Sequence, residues 1–210
     1  MIINIKGTSG SGKTTLVRKV MDCYDTKGKV YVEGRKQPLG YLCHKEGHKS
    51  LAVIGHYETP CGGCDTINKM DDIFDLVRKS HEKGYNVIFE GLLISADVNR
   101  TAALHHEGLP LTVLAIDIPL QDCLDSINGR RKASWELRCK KIEQENEERQ
   151  EKGLKLKELP PKPDDVNPKN TESKWRGVKL CMNRLLEAGV DARWGSRNQC
   201  LTIIKEKLNV

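Results

Sequence analysis

The 210-residue chain carries 35 Lys and Arg against 29 Asp and Glu, giving a net charge of +6, with 38% hydrophobic and 5% aromatic residues. This is lean but globular, long enough for one α/β domain with a full core, and no stretch approaches the length needed to span a membrane. The apolar start is broken by Asn4 and Lys6 and does not read as the apolar region of a secretory signal, and eight scattered cysteines read as reduced thiols, so the expected compartment is cytoplasmic.

In chain order, Ile2 to Lys6 reads as a strand and Thr14 to Tyr24 as a helix. Between them, Gly7-Thr8-Ser9-Gly10-Ser11-Gly12-Lys13-Thr14 fits the phosphate-binding pattern G-x-x-x-x-G-K-[ST] at every position, with Thr15 following. The glycines let successive N–H groups turn toward phosphate oxygens, Lys13 reaches the β/γ-phosphates, and the Thr14 hydroxyl suits Mg²⁺. The helix N-terminus adds its positive dipole end. Strand, loop and helix in that order predict a P-loop NTPase fold that binds a nucleoside triphosphate, ATP being expected, with Mg²⁺.

Lys29 to Glu33 is the next expected strand, and after Gln37-Pro38 the segment Leu39 to His44 pairs back as a hairpin. Leu51 to Tyr57 is apolar and ends in a turn-rich stretch, from which Asp65 or Thr66 caps a helix with Ile67, Met70, Ile73, Phe74 and Val77 at helical spacing as far as Gly84. Asn86 to Phe89 reads as a buried strand that delivers Glu90 to the ligand edge of the sheet, the place for a carboxylate that serves Mg²⁺ or activates an acceptor hydroxyl. In the interval before it, Tyr57 suits base stacking, Glu58 or Asp65 suits a hydroxyl proton, and Gly62 and Gly63 allow close backbone approach. Arg78 and Arg100 are weaker candidates for an acceptor phosphate. Cys61 and Cys64, with Cys43, His44 and His48, leave a zinc site open but irregularly spaced. Asn68-Lys69-Met70-Asp71 matches a guanine-reading motif but lies in a helical pattern.

A helix from Ala96 to His106 leads to Leu111 to Asp117, the most continuous apolar strand, and strand-helix alternation predicts a mostly parallel sheet flanked by helices. Pro119 starts a helix to Asn128, with Arg130 and Arg131 at its exit, and a polar helix covers Ser134 to Lys152. A proline-rich loop from Leu159 to Asn170 precedes a helix from Lys174 to Ala188, a strand near Asp191 to Trp194 and a helix from Asn198 to Leu208. Lys and Arg are dense from Arg130 to Lys179, either as a solvated face interleaved with acids or as a surface for a polyanion such as nucleic acid.

Asp117-Ile118-Pro119-Leu120, Cys123-Leu124 and Gly129-Arg130-Arg131 resemble the strand, helix and arginine-bearing lid of nucleoside and nucleotide kinases. With the P-loop and Glu90, that similarity spans about residues 1 to 140 and implies phosphoryl transfer, with Lys13, Glu90, Arg130 and Arg131 in catalysis. The turn with Gly62-Gly63-x-Asp65, the Phe89-Glu90-Gly91 strand end and the basic carboxyl third are similar to bacteriophage kinases that phosphorylate 5-hydroxymethyluracil within DNA. That resemblance implies a single kinase domain over 1–210, an acceptor-side insertion at about 28–65, a lid with a basic helical segment at about 129–172, and DNA as the acceptor. A kinase of a free nucleotide and an ATP-driven nucleic-acid binding protein are the alternatives.

Overall fold

A computed structural model describes residues 1–210. Seven strands form one sheet in the order β2-β3-β4-β5-β1-β6-β7. The centre of its parallel part is β1 (Ile2–Lys6), buried at all five positions and paired in parallel with β5 (Asn86–Glu90) and β6 (Leu111–Ile116). Burial on both faces is what a central parallel strand demands, and it explains the near-continuous apolar runs. Parallel pairing extends to β4 (Leu51–Ile54) and β7 (Asp191–Gly195), whereas β3 (Gly40–His44) is antiparallel to both β4 and the edge strand β2 (Thr26–Val30).

Two apolar layers close the sheet. On one face α1 (Lys13–Met21) and α6 (Arg197–Leu208) bury Leu16, Val17, Val20, Cys200 and Ile204 against Ile3, Ile5, Ile88 and Leu114. On the other, α2 (Met70–Glu82), α3 (Asn99–His106) and α5 (Pro168–Glu187) cover Ile2, Phe89 and Val113, with Phe74 and Phe89 edge to face at 5.7 Å. The chain visits the β5 side of β1 first and then crosses to the β6 side. The loop after β1 therefore opens into the crevice where strand order reverses.

Several boundaries differ from expectation. The edge strand begins at Thr26 rather than Lys29 and all five of its residues are exposed, so no hydrophobic alternation marked it. Residues Cys64–Thr66 form one 3-10 turn, and α2 starts at Met70 with Lys69 as its N-cap, so the guanine-like motif straddles a helix start. The largest difference is α4 (Leu120–Glu151), one 32-residue helix where two were expected. Gly129 costs only about 1 kcal/mol relative to Ala within a helix, and its neighbours Arg130, Arg131, Lys132 and Ala133 are good helix formers, so nothing breaks the segment. Arg130 and Arg131 thus stand mid-helix rather than at an exit.

The chain from 152 to 167 has no regular structure and runs back along α4 in antiparallel sense. Arg149 donates to the Lys155 carbonyl at 2.7 Å, Asn146 exchanges two bonds with Lys157, Trp135 Nε1 donates to the Pro160 carbonyl at 2.9 Å, Arg131 to that of Asp164 at 3.0 Å, and Val166 N–H to Asn128 Oδ1 at 2.8 Å. Trp175 of α5 ties the next element down through the Ile118 carbonyl at 3.2 Å. Two of the three tryptophans are therefore anchors. No helix is long and apolar enough to cross a membrane.

Candidate active site

The loop between β1 and α1 is shaped by its glycines. Gly10 has φ +81°, and a Cβ there would lie 2.3 Å from the Cys123 carbonyl oxygen, so the start of α4 packs directly on the loop and only glycine fits. Lys13 is 7% exposed and its Nζ donates to the carbonyls of Gly7 at 2.8 Å and Thr8 at 3.1 Å. Burial pushes the Lys13 amine below its usual value, opposed chiefly by the charge of Glu90. The hydroxyls of Thr8 and Ser11 are buried without a protein partner.

Glu90 ends β5 beneath this loop and is 1% exposed. The Thr14 hydroxyl donates to its Oε1 at 2.9 Å, which places the last residue of the P-loop motif against the strand-end carboxylate. Burial drives Glu90 up to about 7, with Lys13 and the Thr14 hydrogen bond pulling the other way. Gly63 covers the same group. It has φ +84°, and a Cβ there would meet Glu90 Oε1 at 2.5 Å. His56 and Gly63 pair back to back at 3.0 and 2.6 Å, folding residues 55–63 into a turn over the carboxylate.

Cations surround that turn. Arg18, one helical turn after Thr14, donates to the carbonyls of Tyr57 at 2.9 Å and Thr59 at 2.5 Å. Arg130 reaches the Pro60 carbonyl at 3.5 Å and Cys61 Sγ at 3.4 Å, its Nε is buried without a partner, and its charge helps to depress the Lys13 amine. Helix α4, the P-loop and the turn at 55–63 therefore meet around one point.

The chain is 43% identical over 207 residues to a 5-hmdU DNA kinase of Pseudomonas phage PaMx11, covering 99% of this chain and 96% of that protein. It belongs to the 5-hmdU DNA kinase family. A 5-hmdU DNA kinase of Delftia phage PhiW-14 is 25% identical over 223 residues, covering 99% and 72% of the two chains. A solved deoxyadenosine kinase from M. mycoides is 15% identical over the whole chain with a TM-score of 0.43. No protein-family model matches the chain. Membership makes the chain a kinase, a phosphotransferase built on a mostly parallel sheet with flanking helices.

Within this family member, the site gathers Lys13, Thr14, Glu90, Gly62, Gly63 and Arg130, and it disperses other candidates. Tyr57 is 5% exposed, donates to the Ile54 carbonyl at 3.3 Å and packs edge-on against Tyr41, so its ring belongs to the core and offers no face to a base. Asp65 accepts from the backbone N–H groups of Leu92 at 2.8 and 3.0 Å and of Leu93 at 3.4 Å; it organises the loop after Glu90 instead of capping α2 or facing an acceptor. Glu58 is paired with Lys29. Arg100 is held by Asp71 at 2.6 Å and Asp97 at 2.9 Å, and Arg78 by Glu107 and Asp75, so neither guanidinium is free for an acceptor phosphate. Arg131 holds the return chain rather than the turn. Cys64 is buried, Cys61 is exposed, and no three His, Cys, Asp or Glu residues converge as a metal cluster.

Three contributors escaped the sequence reading. Arg18 was visible as Thr14 plus four, the spacing of one helix face. Lys6 is wholly buried, donating to the carbonyls of Ile94 at 2.8 Å and Asp97 at 3.0 Å and to Thr101 Oγ1 at 3.2 Å, and it anchors the loop after Glu90 from below. Arg197 opens α6 beside Gly12; with Thr15, Leu16, Lys19, Ser196 and Asn198 it lines a cleft of about 380 Å³ alongside the P-loop helix. Ser196 and Gln199 form a capping box that was readable, but its position over the P-loop is tertiary.

Proposed function

We propose that this chain transfers the γ-phosphate of ATP to the hydroxymethyl oxygen of 5-hydroxymethyluracil in DNA, giving 5-phosphomethyl-deoxyuridine, within the host cytoplasm of a phage-infected cell. The observation that carries the reading is the Thr14 hydroxyl on Glu90 Oε1 beneath the P-loop, joined to the 43% relative over nearly the whole chain. The residues act as one kinase domain, with about 28–65 serving the acceptor and about 129–172 the lid.

The P-loop backbone from Gly7 to Gly12, with Lys13, Thr14 and Thr15, cradles the phosphates. The buried, unpartnered hydroxyls of Thr8 and Ser11 suit oxygen-rich anions, because an orphaned buried hydroxyl costs free energy until it finds a partner. The 380 Å³ cleft next to Arg197 takes the nucleoside. A hydroxyl beside a carboxylate is a hard oxygen donor pair that fits Mg²⁺, so Thr14 with Glu90 would hold the ion, which supplies charge neutralisation on the phosphates. Lys13 and Arg130 stabilise charge on the moving phosphoryl group from two sides. Asp65 and Glu58 are engaged by other partners, which leaves Glu90 as the carboxylate to take the acceptor proton.

Incubation with γ-labelled ATP and DNA containing 5-hydroxymethyluracil, free nucleotides or no acceptor tests the reading. Label in the modified base is expected. Label only in free nucleotides, or only as inorganic phosphate without acceptor, would overturn it.

A further inference from the structure

We infer that the hairpin formed by β2 and β3 and the open face of α4 are two walls of a groove that grips the DNA backbone on either side of the acceptor base. The inference rests on the DNA reading above and assigns the surface that would meet the strand. Because β2 is antiparallel to β3 and β3 to β4, β2 runs in the same direction as β4, and its end at Val30 delivers residues 31–38 to the ligand edge, where Glu90 lies. Residues 27–36 hold four cations against the single acid Glu33, and Tyr31 is 53% exposed among them. An exposed aromatic ring between lysines is the composition of a stacking platform for single-stranded bases. The hairpin abuts the acceptor-side turn, through Lys29 to Glu58 and through Arg35 to Thr66 at 3.2 Å.

The second wall meets the same turn from the other element. Arg130 touches Pro60 and Cys61, and helical spacing puts Lys141, eleven residues on, almost in line with it and Lys140 on the flank away from the return chain, both exposed. This side of α4 is open, because the return chain lies along the side that carries Asn128, Arg131 and Trp135. Charge is sorted along the helix. Residues 130–141 hold six cations and one acid, whereas 142–151 hold five acids and one cation. A polyanion is drawn to the half of α4 next to the site and repelled from its tip.

The test uses full-length protein with two double variants, Tyr31→Ser/Lys36→Gln and Lys140→Gln/Lys141→Gln, and their combination. Each double variant is expected to raise KM for an oligonucleotide containing 5-hydroxymethyluracil by about five- to tenfold, with kcat and KM for ATP unchanged and the free nucleoside unaffected. In the combination, the log-log salt slope for single-stranded DNA binding should flatten by about 2, at roughly 0.7 per cation removed. Unchanged KM and slope in variants of an enzyme that phosphorylates the DNA would overturn the groove. So would a hairpin variant that only self-associates, since lysines that merely guard a sheet edge would do that. If the wild type makes no phosphorylated base, the functional reading fails by itself; the same variants then judge the groove through binding of unmodified DNA.

Discussion

Glu90 is held in conflict: a carboxylate 1% exposed, beneath a buried lysine, accepting from Thr14 and roofed by Gly63. Its folded-state value of about 7 stands above the ordinary 4.5, so the folded protein binds the proton more tightly than the unfolded chain. The stability this contributes is present below about 4.5 and lost as pH rises through 7. Glu90→Gln should therefore melt several degrees higher than wild type at pH 8, with an advantage on the order of 3 kcal/mol that vanishes toward pH 4.5, as read by thermal denaturation across pH. In the same variant kcat should collapse far more than ATP affinity. Equal melting temperatures at pH 8 would mean the carboxylate is not strained by burial. Lys13→Ala should lower transfer by about 10²–10³-fold or more with the circular dichroism spectrum retained, since its amine faces loop carbonyls and the phosphate cradle. These residues were legible because their chemistry is local: the P-loop octapeptide names Lys13 and Thr14, and a buried strand ending in Glu-Gly names Glu90. Tyr57, Asp65 and Arg100 were not legible, because a side chain's partner across the fold decides whether it is free, and no spacing along the chain encodes the Ile54 carbonyl, the Leu92 N–H or Asp71.

At the scale of elements, the turn at 55–63 and helix α4 act together. Gly63→Ala places a methyl group 2.5 Å from Glu90 Oε1 at a backbone angle that L-residues rarely adopt, so either the turn lifts or the carboxylate moves. Activity should fall at least tenfold and melting temperature should drop, checked by kinetics and calorimetry on the same preparation. The two adjacent arginines of α4 should separate. Arg130→Gln should cut kcat with little change in melting, whereas Arg131→Gln, losing the Asp164 carbonyl, should loosen the return chain and lower thermal stability with a smaller loss of kcat. Equal kinetic losses in both would restore a shared catalytic role. The parallel character of the sheet follows from alternating strand and helix signals, but the exposed β2 and the unbroken α4 do not, since one has no apolar pattern and the other contains Gly129 and no residue that stops a helix.

For the whole molecule, the sheet and its two apolar layers hold contacts between residues far apart in sequence, while α4 and its return chain are joined by hydrogen bonds, four of them from α4 side chains to return-chain carbonyls. Between Lys155 and Asn167, the backbone N–H groups of Lys157 and Val166 donate hydrogen bonds, and Pro160, Pro161 and Pro163 have none to give. The return chain is thus fastened by what α4 gives it and contributes little backbone bonding of its own. In deuterated water this divides the protein by timescale: amides of β1, β5 and β6 should wait for global opening, while most amides from 155 to 165 exchange almost as in a free peptide beside a helix that does not.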